Sequence, residues 1–159
     1  MNLLSFLLGL TLTAAKPAAD VHPVFHLAGV NKILMLQLVN DARKKGCFCG
    51  SVRFSPAPPV SWNDLLEKAA LSHSTDMSRS RFFSHTSPTN GKAGARLQAA
   101  GYNWRTYGEN IALGYEGEKE VVEGWLKSPG HCANIMNPAY KEMGAAKVDG
   151  YWTQEFGLR

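Results

Sequence analysis

The stretch Ser128-Pro129-Gly130-His131-Cys132 places an imidazole and a thiol side by side, just after a break in an amphipathic segment. Pro129 disfavours helical geometry at Ser128 and Gly130 permits a sharp turn, so His131 opens a new short turn on a backbone held by its flanks. An imidazole held this way can ligate a metal or move a proton, provided that partners converge on it from elsewhere. Cys132 can tie the same turn to another part of the chain. Ser128 and His131 are also close enough in sequence to suggest a nucleophile and its base, but no Gly-x-Ser-x-Gly elbow and no third member accompany them.

The thiols need a compartment before they can be read. Leu3 to Leu12 is a short apolar run followed by Thr13-Ala14-Ala15, the pattern of a secretory signal peptide cleaved after Ala15. The run is too short to span a bilayer comfortably, and no second apolar segment approaches spanning length. We therefore expect a leader at residues 1–15, a linker at 16–30 and a folded domain at 31–159, secreted or periplasmic. In an oxidising compartment Cys47, Cys49 and Cys132 read as disulfide partners rather than metal thiolates. Cys47-Phe48-Cys49 would close too strained a ring, so one of that pair is expected to reach Cys132, Cys49 in preference to Cys47. Such a long closed loop stabilises by roughly 4–5 kcal/mol in the chain-entropy picture. Cys47 is then free, capped, or the means of a covalent dimer in an otherwise monomeric protein.

The elements that must position these groups read from periodicity and punctuation. The 159 residues are 45% hydrophobic and 19% charged, values of a globular domain with a real core. The net charge of +4 is spread along the chain with no dense basic run among aromatics, so no nucleic-acid partner is expected. Asn31 to Lys44 reads as a helix, with Ile33, Leu34, Leu36, Leu38 and Val39 on one side and Asn40, Asp41, Arg43 and Lys44 on the other, stopped by Gly46. Cys47 to Pro59 reads as an irregular loop. Ser61 or Asn63 caps a second helix whose stripe of Leu66, Ala70, His73 and Met77 faces the core. Arg79 to Asn90 is a polar loop holding His85, and Ala93 to Ala100 a short helix stopped by Gly101. Glu109 to Gly114 reads as a short strand. Glu118 to Lys127 is a third main helix, its Glu123 and Lys127 spaced as a surface ion pair. Met143 to Val148 and Tyr151 to Gly157 flank Asp149-Gly150 as a hairpin. Helices first and a terminal hairpin last make an α+β pattern.

Taken in order, Ala69-Ala70-Leu71-Ser72-His73, Phe83-Ser84-His85, Arg96 with Gly101-Tyr102, Gly108-Glu109-Asn110-Ile111-Ala112, Trp125 with Ser128-Pro129-Gly130-His131, and Tyr151-Trp152-Thr153-Gln154 resemble the CAP superfamily of cysteine-rich secretory, antigen 5 and pathogenesis-related proteins. The resemblance runs from about Leu36 to Phe156 and is nearest the short bacterial branch. It implies an α-β-α sandwich with a central antiparallel sheet and a cleft on one side. It also implies a cleft lined by histidines and acids, which here fall on His85, Glu109 and His131. The position of the family's second glutamate is Ser128, so the acid pair is incomplete.

Two imidazoles and a carboxylate make a sound ligand set for Zn2+ or another divalent metal, and no organic cofactor is expected. Asn110, Arg96, His73 and Ser128 are expected to support the cleft, Arg96 by bracing a carboxylate or a carbonyl and His73 by core packing. The expected function is a disulfide-stabilised binding module for a lipid, sterol, cell-envelope glycan or protein. The alternative is a metal-dependent, peptidase-like hydrolase with Glu109 as candidate base. Glycoside hydrolysis would need a second carboxylate flanking the cleft.

Overall fold

A computed structural model describes residues 29–159. The expected leader, and all of the expected linker before Gly29, lie outside the described residues.

Asparagine side chains cap the first two helices. Asn31 accepts from the Leu34 amide to open α1 (Lys32–Lys45), and Gly46, at φ 67°, closes it. Asn63, not Ser61, caps α2 (Asp64–Ser80) by accepting from the amides of Leu65 and Leu66. Gly101 ends α3 (Ala93–Ala100) in the left-handed region, where a missing Cβ costs nothing. Ser128 ends α4 (Glu118–Lys127) and precedes α5 (Pro129–Met136), whose first residue is Pro129, a position where the missing N–H is no loss.

Four strands form the main sheet in the order β3-β5-β6-β4. β5 (Glu142–Val148) and β6 (Tyr151–Leu158) are the expected hairpin around Asp149-Gly150. β4 (Thr106–Leu113) runs antiparallel to β6 and forms one edge. The two-residue β3 (Ser61–Trp62) lies parallel to β5 at the other. α2 and α3 cover one face, and α1, α4 and α5 lie on the other side. This is the expected α-β-α sandwich.

The larger core joins Met35 and Val39 of α1 to Val121, Val122 and Trp125 of α4, Ile135 and Met136 of α5, and Trp152 and Phe156 of β6. A second core gathers Leu66, Ala69, Leu97, Ala100 and Tyr102. Leu66, Ala70, His73 and Met77 are all buried, as their spacing required.

Three local readings change. Cys47 to Pro59 is not wholly irregular: β1 (Cys47–Cys49) and β2 (Val52–Phe54) pair as a small hairpin, each strand too short for its alternation to show in sequence. Ile33 of α1 is exposed, whereas Arg43 is fully buried. Its guanidinium donates to the carbonyls of Pro58, Ile135, Asn137 and Tyr140, including the orphan carbonyl end of α5. Glu123 lies 4.0 Å from Lys119 rather than pairing with Lys127.

Candidate functional site

Edge strand β4 carries the site, and its two faces do different things. Its outward carbonyls would be an unpaired edge, but three side chains close it. Tyr140 Oη donates to the Tyr107 carbonyl, Asn134 Nδ2 to that of Glu109 and Trp125 Nε1 to that of Ile111, at 3.0, 3.1 and 3.2 Å. Helices α4 and α5 are thereby locked beside the strand.

Asn110 holds the α5 side. Its Nδ2 donates to the His131 carbonyl at 3.2 Å and to Gln154 Oε1 at 2.9 Å, and its Oδ1 accepts from Asn134 Nδ2 at 2.9 Å. The amide network thus fixes the backbone at His131. Ser128 caps no amide with its side chain.

Glu109 occupies the other side, packed between α2, α3 and the loop after α2. Its side chain is only 4% exposed. Oε1 lies 2.7 Å from His85 Nδ1, and Oε2 pairs with the guanidinium of Arg96 and stands 3.8 Å from His73 Nε2. Arg96, itself buried, also donates to the carbonyls of Gly91 and His85. It therefore fastens the His85 loop and the carboxylate at once. His73 Nε2 is 3.0 Å from the Ser84 carbonyl, so that nitrogen carries the proton and donates, while buried Nδ1 has no partner.

The sequence reading missed Glu155. In the β4–β6 register it lies directly opposite Glu109, and it is fully buried. The signal was present: alternation along β6 puts Tyr151, Thr153 and Glu155 on one face, so an acid there had to point into α2 or be paired. Neither Glu155 oxygen makes a hydrogen bond of good geometry, yet the Glu109 carboxylate is close enough to act as its acceptor.

Charge separates the two acids. Burial pushes the Glu109 carboxyl upwards, but the hydrogen bond from His85 and the charge of Arg96 outweigh it and hold it below the ordinary range. Burial, then the charge and hydrogen bond of Glu109, drive the Glu155 carboxyl well above that range. One acid is ionised and its neighbour keeps the proton. Burial lowers the affinity of His73 for a second proton, opposed by Glu109 and assisted by Arg96. Burial, and then His85, do the same to His131, which places the two candidate ligands within electrostatic reach of each other.

A cleft of 330 Å3 opens over this assembly, lined by His85, Thr86, Lys92, Ala93, Tyr107 and Glu109. The His85 side chain is 56% exposed at its mouth. His131 does not line that cleft. The ligand atoms of His85, Glu109 and His131 do not all lie within 4.8 Å of one another; among the described residues only Cys47, Cys49 and Cys132 form such a set. Of the nearby aromatic side chains, Tyr102 is core, Trp104 packs edge-on to Tyr107, and Phe82 packs near His73.

Cys49 and Cys132 form the disulfide, their Cα atoms 5.4 Å apart, and Cys47 is free. The bond ties the β1–β2 hairpin to α5.

The sequence pattern of the cysteine-rich secretory protein family, CAP, matches residues 36–156. This chain belongs to the CAP family. Its relatives include the Bacillus subtilis proteins YkwD, 38% identical over 100 residues, and YlbC, 35% identical over 97. Those alignments take in 62% and 61% of this CAP chain but only 39% and 28% of the relatives' lengths. An extracellular SCP-domain protein from Bacillus anthracis superposes with a TM-score of 0.73 at 31% identity, over 81% of this chain and 40% of that one. An outer surface protein from Borrelia burgdorferi superposes at 0.67 over 84% of this chain and 98% of its own, and at 22% identity it shows the fold alone.

Proposed function

We propose that this CAP chain is the binding module of an exported protein, and that its cleft takes a polar cell-envelope ligand beside a divalent cation that His85, at the cleft mouth, shares with His131 outside the cleft lining. The observation that carries the reading is the pairing of Glu109 with His85. An ionised carboxylate accepting from Nδ1–H orients the ring and turns its Nε2 to the cleft mouth, the arrangement in which a carboxylate tunes a metal-binding histidine. Glu109 itself fits the part of a ligand poorly, because His85 and Arg96 already engage its two oxygens. The donor set is therefore two imidazoles, and His131 is held towards its neutral, metal-binding form. The cation, when bound, would supply a positive centre with open positions for ligand oxygens.

Binding is favoured over turnover by the same geometry. A carboxylate held below its ordinary range by His85 and Arg96 is a weak base, and the protonated Glu155 behind it is sealed from solvent. Lys92, Thr86 and Tyr107 on the cleft wall suit a hydroxyl-rich or anionic glycan better than a lipid or sterol. Export is supported by the disulfide and by the extracellular and outer-surface proteins that share the fold. No helix among the described residues is long and apolar enough to cross a membrane.

Calorimetric titration of the tag-free protein with Zn2+ tests the reading. We expect binding that is abolished in His85→Ala and in His131→Ala, and weakened about 10–100-fold in Glu109→Gln, which keeps both imidazoles but loses the charge that orients one. Absence of binding by the wild type, or equal binding by the histidine variants, overturns it.

A further inference from the structure

The three sulfurs lie together although only two are bonded. Cys47 Sγ stands 3.6 Å from Cys132 Sγ and 4.0 Å from Cys49 Sγ. A Zn–S bond of about 2.3 Å requires thiolates about 3.8 Å apart in a tetrahedral site. Two of the three sulfur–sulfur edges thus already have the length that a shared metal ion demands. From these distances we propose that, once the Cys49–Cys132 bond is opened, Cys47, Cys49 and Cys132 form a three-thiolate site for a soft cation such as Zn2+, Cd2+ or Cu+.

The surroundings suit such a site. Cys132 lies in the first part of α5, where the helix dipole favours a thiolate. Burial pushes the Cys47 thiol upwards, and Arg53, stacked on Phe48 of the same hairpin, opposes this in part with its positive charge. Cys49 and Cys132 are 3% and 0% exposed, whereas Cys47 is partly exposed and offers an ion a way in. The fourth position would fall to water.

The chemistry balances with a dithiol as reductant. The dithiol gives two electrons and is oxidised to its own disulfide, the Cys49–Cys132 bond breaks, and its two protons leave both cysteines as thiols. A divalent cation then displaces three protons from the three thiols. The metal-bound and disulfide-bonded forms exclude each other, and both anchor α5, which carries His131 and Asn134, to the β1–β2 hairpin.

The full chain is tested by unfolding it in urea with a phosphine reductant and refolding it with or without Cd2+. We expect the ultraviolet thiolate-to-Cd2+ charge-transfer band to saturate at one ion per chain, with native near-ultraviolet circular dichroism. The oxidised protein should give no band. Cys47→Ser leaves the disulfide intact, so its oxidised form reports whether the substitution is tolerated. Its reduced form should bind Cd2+ more than about 100-fold more weakly, since even an outer partner is worth about 10–100-fold. Equal affinity in the reduced Cys47→Ser variant, no band in the reduced wild type, or failure of Cd2+ to restore the native spectrum overturns the proposal. The band reports sulfur ligation alone, so the result is independent of any cation at His85 and His131.

Discussion

Replacing Glu155 with glutamine isolates one proton. The native chain keeps Glu155 protonated, buried opposite an ionised Glu109, while the unfolded chain releases that proton at the ordinary value of 4.5. Between that value and the raised folded one, the native state binds more protons than the unfolded state. Stability contributed by this group therefore falls as pH rises above 4.5, by at most about 1.4 kcal/mol for each pH unit, until the folded acid itself ionises. Glutamine has nearly the same shape and cannot ionise. The variant should match the wild type near pH 4.5 and gain on it steadily above. Glu109 acts in the other window: its folded value is depressed, so its contribution is present above 4.5 and is lost as pH falls through the folded value. Urea unfolding followed from pH 4 to pH 8 separates the two. Parallel wild-type and Glu155→Gln stability curves between pH 5 and pH 7 would refute the assignment of the proton to Glu155.

Arg96→Met should cost about 3–5 kcal/mol, because it strands the buried Glu109 carboxylate and frees the carbonyls of His85 and Gly91. A loss below about 1 kcal/mol in urea unfolding would show that solvent or Lys92 replaces the guanidinium. Gly144→Ala should destabilise by about 1–3 kcal/mol or more, since the added Cβ would lie 2.2 Å from the Glu67 backbone nitrogen and force α2 off β5. A wild-type thermal midpoint in that variant would mean that the helix can slide at no cost.

What the sequence could disclose was whatever is decided within a few residues. Asn63, Gly101 and Asp149-Gly150 mark element ends by local capping and turn chemistry, and each is where the structure has it. The burial of His73 and Met77 follows from helical spacing alone. What stayed hidden was decided by partners far along the chain. Arg43 looks like a surface residue because the carbonyls of Ile135, Asn137 and Tyr140 are more than 90 positions away. The parallel pairing of β3 leaves no trace in two residues. Ring strain narrows the partner of Cys132 to two thiols, and spacing goes no further, because all three sulfurs share one small volume.

The acid pair shows the difference most sharply. Motif comparison looks for a second carboxylate near the end of α4 and finds Ser128 there. Yet the β4–β6 register brings one to Glu109 from Glu155 instead, on the same face of the sheet and buried rather than across the cleft. Position changes its chemistry. An acid across an open cleft could receive a proton from a substrate, whereas one sealed beneath α2 can only hold its proton and soften the field around Glu109. Glu109 stays ionised because Arg96 and His85 lie beside it, and its charge orients His85 while it pairs with Arg96. The buried position of the second acid is thus what favours the proposed binding role over hydrolysis, which an acid across the cleft would have favoured instead.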